Sequence, residues 1–289
     1  MDPWVFSGLK PDDVASHLDE LSECYAEHGL VVMPGLLAGN EDFVRYLDAI
    51  RFMFGQIFAR YGERIAQGED IGDILVRLKR IAPLDGRIVA DMGTQPNKFA
   101  AGNRIKFADF VTRLLEKIFG NDAVIATPQA GDTLHLFMPG EEFHRYNLPI
   151  HQDYQYLMQS PRQATLYLGL SRPYGDAGGL EYWPGSHKLG VLPCERNENG
   201  AFRVMNGDEL MKQFRHERYL WEVGDVSLFD SLMCHRSIPN TSADRGRSVQ
   251  IFRFSDLNNV VGEKYDWRST IYERRGARFE AEHAELFKE

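Results

Sequence analysis

Two histidines and one carboxylate stand out because their side chains could close on a single ion. His151-Gln152-Asp153 puts an imidazole and a carboxylate two residues apart, and in an extended chain residues two apart project to the same face. His235, in Met233-Cys234-His235-Arg236-Ser237, is the third candidate. Two imidazoles and one carboxylate on one face of a metal leave other coordination positions open, including one for O2. Iron(II) suits this mixed nitrogen and oxygen set, whereas zinc would bind but has no redox chemistry to use. Among nine histidines, a lone His-X-Asp is as readily a surface or satisfied core histidine, so its surroundings carry the argument.

Three further segments follow in order. Gly178-Gly179-Leu180-Glu181-Tyr182-Trp183-Pro184-Gly185-Ser186-His187 is a glycine-rich turn, a short strand and a second turn. Gly224-Asp225 opens a strand that leads toward His235. Asn240-Thr241-Ser242 is followed by Arg245-Gly246-Arg247 and a last strand. With these segments in place the chain resembles the phytanoyl-CoA dioxygenase family over roughly residues 130–255. That family runs HxD, GGxxxxPGSH, GD, then HxS followed by an Asn-Xaa-Ser turn and an arginine.

The resemblance implies an iron(II) enzyme with 2-oxoglutarate as co-substrate and O2 as oxidant, with His151, Asp153 and His235 as both metal ligands and catalytic centre. It also implies an arginine for the distal carboxylate of 2-oxoglutarate, which a guanidinium fork matches in geometry. Arg247, immediately before the final strand, takes that place, with Arg245 as the alternative. Ser237 would share the face of His235 and donate to the same carboxylate. Thr165 follows Pro161-Arg162 as a hydroxyl residue does in the related ectoine hydroxylases, and Tyr167 shares its strand face; ordinary strand packing is the other reading of both. Halogenases of the broader superfamily carry Gly or Ala where Asp153 stands, so the resemblance favours hydroxylation, or desaturation or ring closure. His187 reads as a structural turn residue and Cys234 as core. His135 and His144-Arg145-Tyr146-Asn147 flank the metal motif as substrate contacts or solvated loop.

The elements that must hold these residues change character midway. Residues 11–119 read mainly as helix: Val14, Leu18, Leu21 and Tyr25 recur at spacings of three and four after Pro11, and Gly29 ends that run. Leu30–Met33 is a short strand, Asn40 caps a second helix through Phe58, and Arg104–Phe119 forms another that stops at Gly120. From about residue 123 the period shifts toward two, with strands at 134–138, 164–170, 219–223, 226–229 and 248–254 separated by Gly, Pro, Asn and Asp clusters. The expected fold is α+β with a mainly β core: a double-stranded β-helix, or jelly-roll, at 123–256 under a helical N-terminal layer, in a single domain over 1–289. Residues 193–218 interrupt the strand pattern and contain a short helix at 208–216. They are expected to be either a lid or a solvated connector.

Composition narrows the partners. A net charge of −9 argues against nucleic acid and anionic membranes, leaving a small-molecule substrate. Cys24, Cys194 and Cys234 offer neither a disulfide framework nor a CxxC metal site. The opening residues lack a basic segment followed by an apolar run, and no stretch has bilayer-spanning length, so the expectation is a cytoplasmic protein. Two competing readings are a non-catalytic cupin-like jelly-roll that binds a metal or sugar, and an iron oxygenase without 2-oxoglutarate. Neither needs Arg247. Candidate substrate determinants are Tyr146, Arg162, Trp183 and the 193–218 segment.

Overall fold

Local signals start and stop the helices of the N-terminal layer. The computed structural model describes residues 2–81, 92–120, 125–126, 132–140, 147–156, 160–173, 175–197 and 201–256. Pro11–Ser16 is a 3₁₀ turn that breaks at His17 before α1 (Leu18–His28) begins, so the predicted first helix is two elements. Gly29, at φ 69°, ends α1 in the left-handed region that glycine adopts without strain. The Asn40 side chain accepts the Phe43 amide at 3.0 Å and caps α2 (Glu41–Arg60). The third helix is α3 (Ile71–Ile81). The helix predicted at 104–119 is instead α4 (Ala100–Lys106) and α5 (Asp109–Phe119), bent apart at Phe107-Ala108.

The strands form two main antiparallel sheets. β1 (Leu30–Met33), β2 (Ile125–Ala126), β3 (Thr133–Phe137), β4 (Gln163–Gly169), β9 (Val226–Asp230) and β11 (Arg247–Asp256) make a six-stranded sheet in the order β1-β9-β4-β11, with β2 and β3 both on the far edge of β11. β5 (Gly179–Tyr182), β8 (Glu217–Tyr219) and β10 (His235–Ile238) form the second sheet, in the order β10-β5-β8. β6 (Cys194–Arg196) and β7 (Phe202–Val204) pair as a hairpin. This is the expected jelly-roll architecture. The strand expected at 219–223 lies earlier, at Glu217–Tyr219.

β11 is the strand on which both layers meet. Side chains alternate across it, and Ser248, Gln250, Phe252 and Phe254 are buried on the face carrying the helices. The Tyr46 hydroxyl from α2 donates to Gln250 Oε1 at 2.5 Å. Lys106 from α4 pairs with Asp132 and lies over the Phe252 and Phe254 rings. The opposite face carries Arg247, Val249, Ile251 and Arg253. Pairing with β4 sets Tyr167 opposite Ile251 and Thr165 opposite Arg253, so these side chains share the inner face.

The described residues of the 193–218 segment are folded against the rest of the chain. Its hairpin and a one-turn helix, α6 (Gly207–Leu210), pack over a separate apolar cluster of Ile150, Trp183, Leu192, Val204, Met211 and Cys234. The short helix expected at 208–216 is this turn followed by a 3₁₀ turn at Met211–Gln213. Val204 donates its amide to the Ile150 carbonyl at 2.8 Å. Among the described residues no helix is long and apolar enough to cross a membrane.

Candidate metal centre

The two histidines are brought together by backbone pairing. His151 and His235 exchange both amide-to-carbonyl bonds, at 3.0 and 3.1 Å, in an isolated antiparallel bridge, which sets the two residues directly opposite each other. Their ring centroids lie 4.2 Å apart. The strand leading into His235 is fixed by the Pro-Gly-Ser-His turn: Cys234 donates its amide to Ser186 Oγ at 2.9 Å, and Trp183 donates to the Cys234 carbonyl at 3.2 Å.

Asp153 reaches the same point by a different route from the one expected. The chain is extended through Gln152 and then enters a 3₁₀ turn at Asp153–Gln155, so the carboxylate swings in from a turn and not from a continuous strand. Gln152, fully buried, holds this register. Its side chain donates to the Gly190 and Leu232 carbonyls at 2.8 and 2.7 Å and accepts the Leu192 amide at 2.9 Å. Asp153 Oδ1 lies 3.9 Å from His151 Nε2 and 3.8 Å from His235 Nε2. His151, Asp153 and His235 are the one group of potential ligands among the described residues whose donor atoms all lie within 4.8 Å of one another.

The hydrogen bonds behind the rings set their tautomers. His151 Nδ1 meets the Pro149 carbonyl at 2.7 Å and His235 Nδ1 meets the Met233 carbonyl at 2.9 Å. A carbonyl only accepts, so each Nδ1 carries the proton and each Nε2 presents a lone pair to the centre. Burial, and then the neighbouring His235, push the His151 imidazole down to about 3; burial likewise lowers His235. Both rings are therefore neutral near pH 7. Burial opposes the charge on Asp153, but the Arg253 guanidinium and the imidazoles outweigh it and hold the carboxyl well below its ordinary range. Two neutral nitrogens and one carboxylate are a donor set that fits a divalent iron.

Arg247 is buried, 5% exposed. Its Nη1 donates to the Tyr167 hydroxyl at 3.0 Å and its Nε to the Ala177 carbonyl at 3.3 Å, with the guanidinium carbon 3.8 Å above the Phe137 ring. Nη2 is buried with no partner among the described residues. A buried cation with a free donor is costly unless something anionic completes it, and a carboxylate would. Arg245 points elsewhere: its side chain is 41% exposed and lies 3.6 Å from Asp244. The turn between them is pinned by Asn240, which donates to the Phe137 and Arg245 carbonyls at 3.1 and 2.7 Å.

The other predicted residues fall in several places. Tyr167 touches Arg247. The Thr165 hydroxyl donates to Asp153 Oδ2 at 2.7 Å. Ser237 lies opposite Leu180, two residues beyond His235 and only partly buried. His187 stands apart, bonded to the Ala26 carbonyl at 3.1 Å over Gly29, and Cys234 is core. His135 and Thr133 share the inner face of β3 and are partly exposed, whereas Leu134 and Leu136 between and beyond them are fully buried. His144, Arg145 and Tyr146 lie outside the described residues. Arg162 pairs with Asp256 at 2.7 Å, and Trp183 belongs to the cluster under the 193–218 segment. Sequence reasoning missed Arg253 and Gln152. For Arg253, the period-two pattern of β11 placed it on the face of Arg247 and was the available signal.

The phytanoyl-CoA dioxygenase family model matches residues 25–249. The 1-deoxypentalenic acid 11-beta-hydroxylase of Streptomyces arenae is 26% identical over 241 residues, covering 78% of this chain and 76% of its own. Among solved structures, EctD from S. alaskensis, crystallised with 2-oxoglutarate and 5-hydroxyectoine, superposes with a TM-score of 0.56 at 16% identity over 90% of this chain and 82% of its own. The epimerase SnoN, in complex with Fe3+, alpha ketoglutarate and nogalamycin RO, gives 0.55 at 14% identity over 84% and 85%.

Proposed function

The chain belongs to the phytanoyl-CoA dioxygenase family, and from that premise we propose that His151, Asp153 and His235 hold iron(II), that Arg247 holds 2-oxoglutarate, and that the enzyme hydroxylates a C–H bond of a small molecule. The chemistry supplied when iron(II), 2-oxoglutarate and O2 are bound is oxidation of an unactivated C–H bond, with succinate and CO2 released. The protein's own residues orient and shield. His151 and His235 present lone pairs from Nε2, because Pro149 and Met233 hold the protons on Nδ1. Arg247 offers its free Nη2 to the distal carboxylate, and the Tyr167 hydroxyl beside it keeps the guanidinium aimed. Ser237 lies on the face of His235 as a second donor.

The observation that carries this reading is the buried, unsatisfied Nη2 of Arg247 on the inner face of the strand that also presents Arg253 to Asp153. A sugar-binding jelly-roll, or an oxygenase without 2-oxoglutarate, has no use for it. The substrate proposed is polar or amphiphilic, because Thr133 and His135 bring polar groups to that inner face while the helix-facing positions of β3 are apolar. The relative from S. arenae is named for an acid, which supports the same direction. Hydroxylation is preferred to halogenation because a carboxylate, Asp153, stands in the metal group.

The test is anaerobic loading followed by turnover. Iron content should be one per chain and should fall to background in His151→Ala and His235→Ala, since each removes one of only three protein ligands. The loaded parent should release succinate from 2-oxoglutarate when O2 is admitted. Unchanged iron stoichiometry in either variant would remove that residue from the site, and absence of succinate across a metabolite screen would favour the non-catalytic jelly-roll.

A further inference from the structure

The Asp153 carboxylate is held at both oxygens by side chains from the sheet. Thr165 Oγ1 donates to Oδ2 at 2.7 Å. The Arg253 guanidinium lies along the same group, with Nε 3.4 Å from Oδ2 and Nη2 3.2 Å from Oδ1. Oδ1 is the oxygen that faces both histidines, at 3.9 and 3.8 Å from their Nε2 atoms. The two gripping residues stand opposite each other across β4 and β11, so sheet register brings both onto the inner face. The strand is anchored at that point as well: the Arg253 amide donates to Asp132 Oδ1 at 3.0 Å, and Asp132 pairs with the buried Lys106.

A carboxylate can offer a metal one oxygen or two. If Asp153 offered two, one coordination position would be lost, and 2-oxoglutarate and O2 together need those left by the three protein ligands. We propose that Arg253 and Thr165 are positioning residues that restrict Asp153 to a single ligating oxygen, Oδ1, and so keep the remaining positions of the metal free. This rests on the metal-site reading above. Oδ2 is engaged by a buried hydroxyl and by the edge of a guanidinium fork, and turning it toward the imidazoles breaks both contacts. Neither residue is required to touch co-substrate or substrate in this role, and both act through Asp153.

The test counts metal-bound water. Manganese(II), loaded anaerobically without 2-oxoglutarate, reports exchangeable waters through water-proton relaxation and through the electron spin echo of samples in deuterated water. The parent is expected to bind one Mn(II) with three waters. Arg253→Met and Thr165→Val should each bind Mn(II) no more weakly than the parent, because the second oxygen joins the metal, and should carry fewer waters, approaching two. Thr165→Ser keeps the hydroxyl and should restore the parent's count. A residue that merely supports the fold would lower the melting temperature and leave the water count alone. The parent's count in both Arg253→Met and Thr165→Val overturns the proposal. If one of them does not fold, the other decides. A parent that binds no Mn(II), or binds it undiminished in His151→Ala, overturns the metal site itself and this proposal with it.

Discussion

Gly246 and Gly72 are in backbone contact: a Cβ on Gly246 would lie 2.5 Å from the Gly72 carbonyl oxygen, and one on Gly72 would lie 2.4 Å from the Gly246 carbonyl oxygen. Helix α3 thereby leans directly on the turn that delivers Arg247. Gly246→Ala would also press on Leu75 Cβ at 2.8 Å. Overpacking of this kind typically costs about 1–3 kcal/mol. The expected outcome is a lower melting temperature together with weaker 2-oxoglutarate binding, while metal binding at His151, Asp153 and His235 is kept. Equal loss of both ligands would mean that the contact supports the whole fold and not the arginine.

Arg247→Ala and Arg245→Ala should separate cleanly. Among the described residues Arg247 is buried with an unpaired donor, whereas the Arg245 side chain is 41% exposed. Truncating one partner of a desolvated charged pair costs about 2–5 kcal/mol, so the apparent 2-oxoglutarate affinity of Arg247→Ala should fall by well over tenfold. Arg245→Ala should stay close to the parent. Titration of the visible absorbance of the iron(II)–2-oxoglutarate complex measures both, and the reverse ranking would move the co-substrate site by two residues.

Asp230 gives the protein a pH-dependent stability of unusual sign for a carboxylate. Burial pushes its carboxyl up from 3.8 to about 7, against the Leu232 amide bond, Tyr25 and nearby Arg162. Between roughly pH 4 and 7 the folded chain holds a proton that the unfolded chain has released. Its contribution is therefore complete below the unfolded value and is lost as pH rises through about 7. Asp230→Asn keeps an acceptor for the Leu232 amide and removes the titration. The variant should match or exceed the parent's melting temperature at pH 8 and lose part of the parent's difference between pH 5 and 8. A variant less stable than the parent at pH 8 would contradict the assignment.

The 193–218 segment should behave as a wall with a movable edge. Its hairpin is tied to the metal motif: the Phe202 amide donates to the Tyr156 hydroxyl at 2.8 Å, and the Tyr156 ring packs edge-on against both His151 and Phe202. Slow amide exchange is expected at Phe202 and Val204 even without substrate. Substrate-dependent protection, the mark of a lid, is expected only in 205–216. Rapid exchange at Phe202 and Val204 in the free enzyme would show that the hairpin docks only on binding.

Much of the proposed site is legible in residue order because its segments follow one another as in the family the chain resembles. The spacing of His151 and Asp153, with His235 beyond them, points to a shared metal, and the resemblance to the phytanoyl-CoA dioxygenase family adds Arg247 for the distal carboxylate of 2-oxoglutarate. Asn40, Gly29 and Gly120 marked helix ends because a cap depends on the residues beside it. The break at Phe107-Ala108 carried no such signal, because an apolar stripe continues across it.

What the tertiary structure alone decided are relationships between distant segments. That Thr165 serves Asp153, that Arg253 lies against the same carboxylate, and that Gly72 meets Gly246 all depend on sheet register and on helix-to-sheet contact. A strand pattern of period two says which side chains share a face and nothing about which strand lies opposite. Asp153 joins His151 through a turn held by Gln152, whose three partners lie at Gly190, Leu192 and Leu232. Hydrogen bonds of that reach are satisfied only when the chain has closed on itself. The sequence by itself therefore determined which groups could bind a metal and an acid, and the packed sheet decided which oxygen of Asp153 and which nitrogen of each histidine faces the centre.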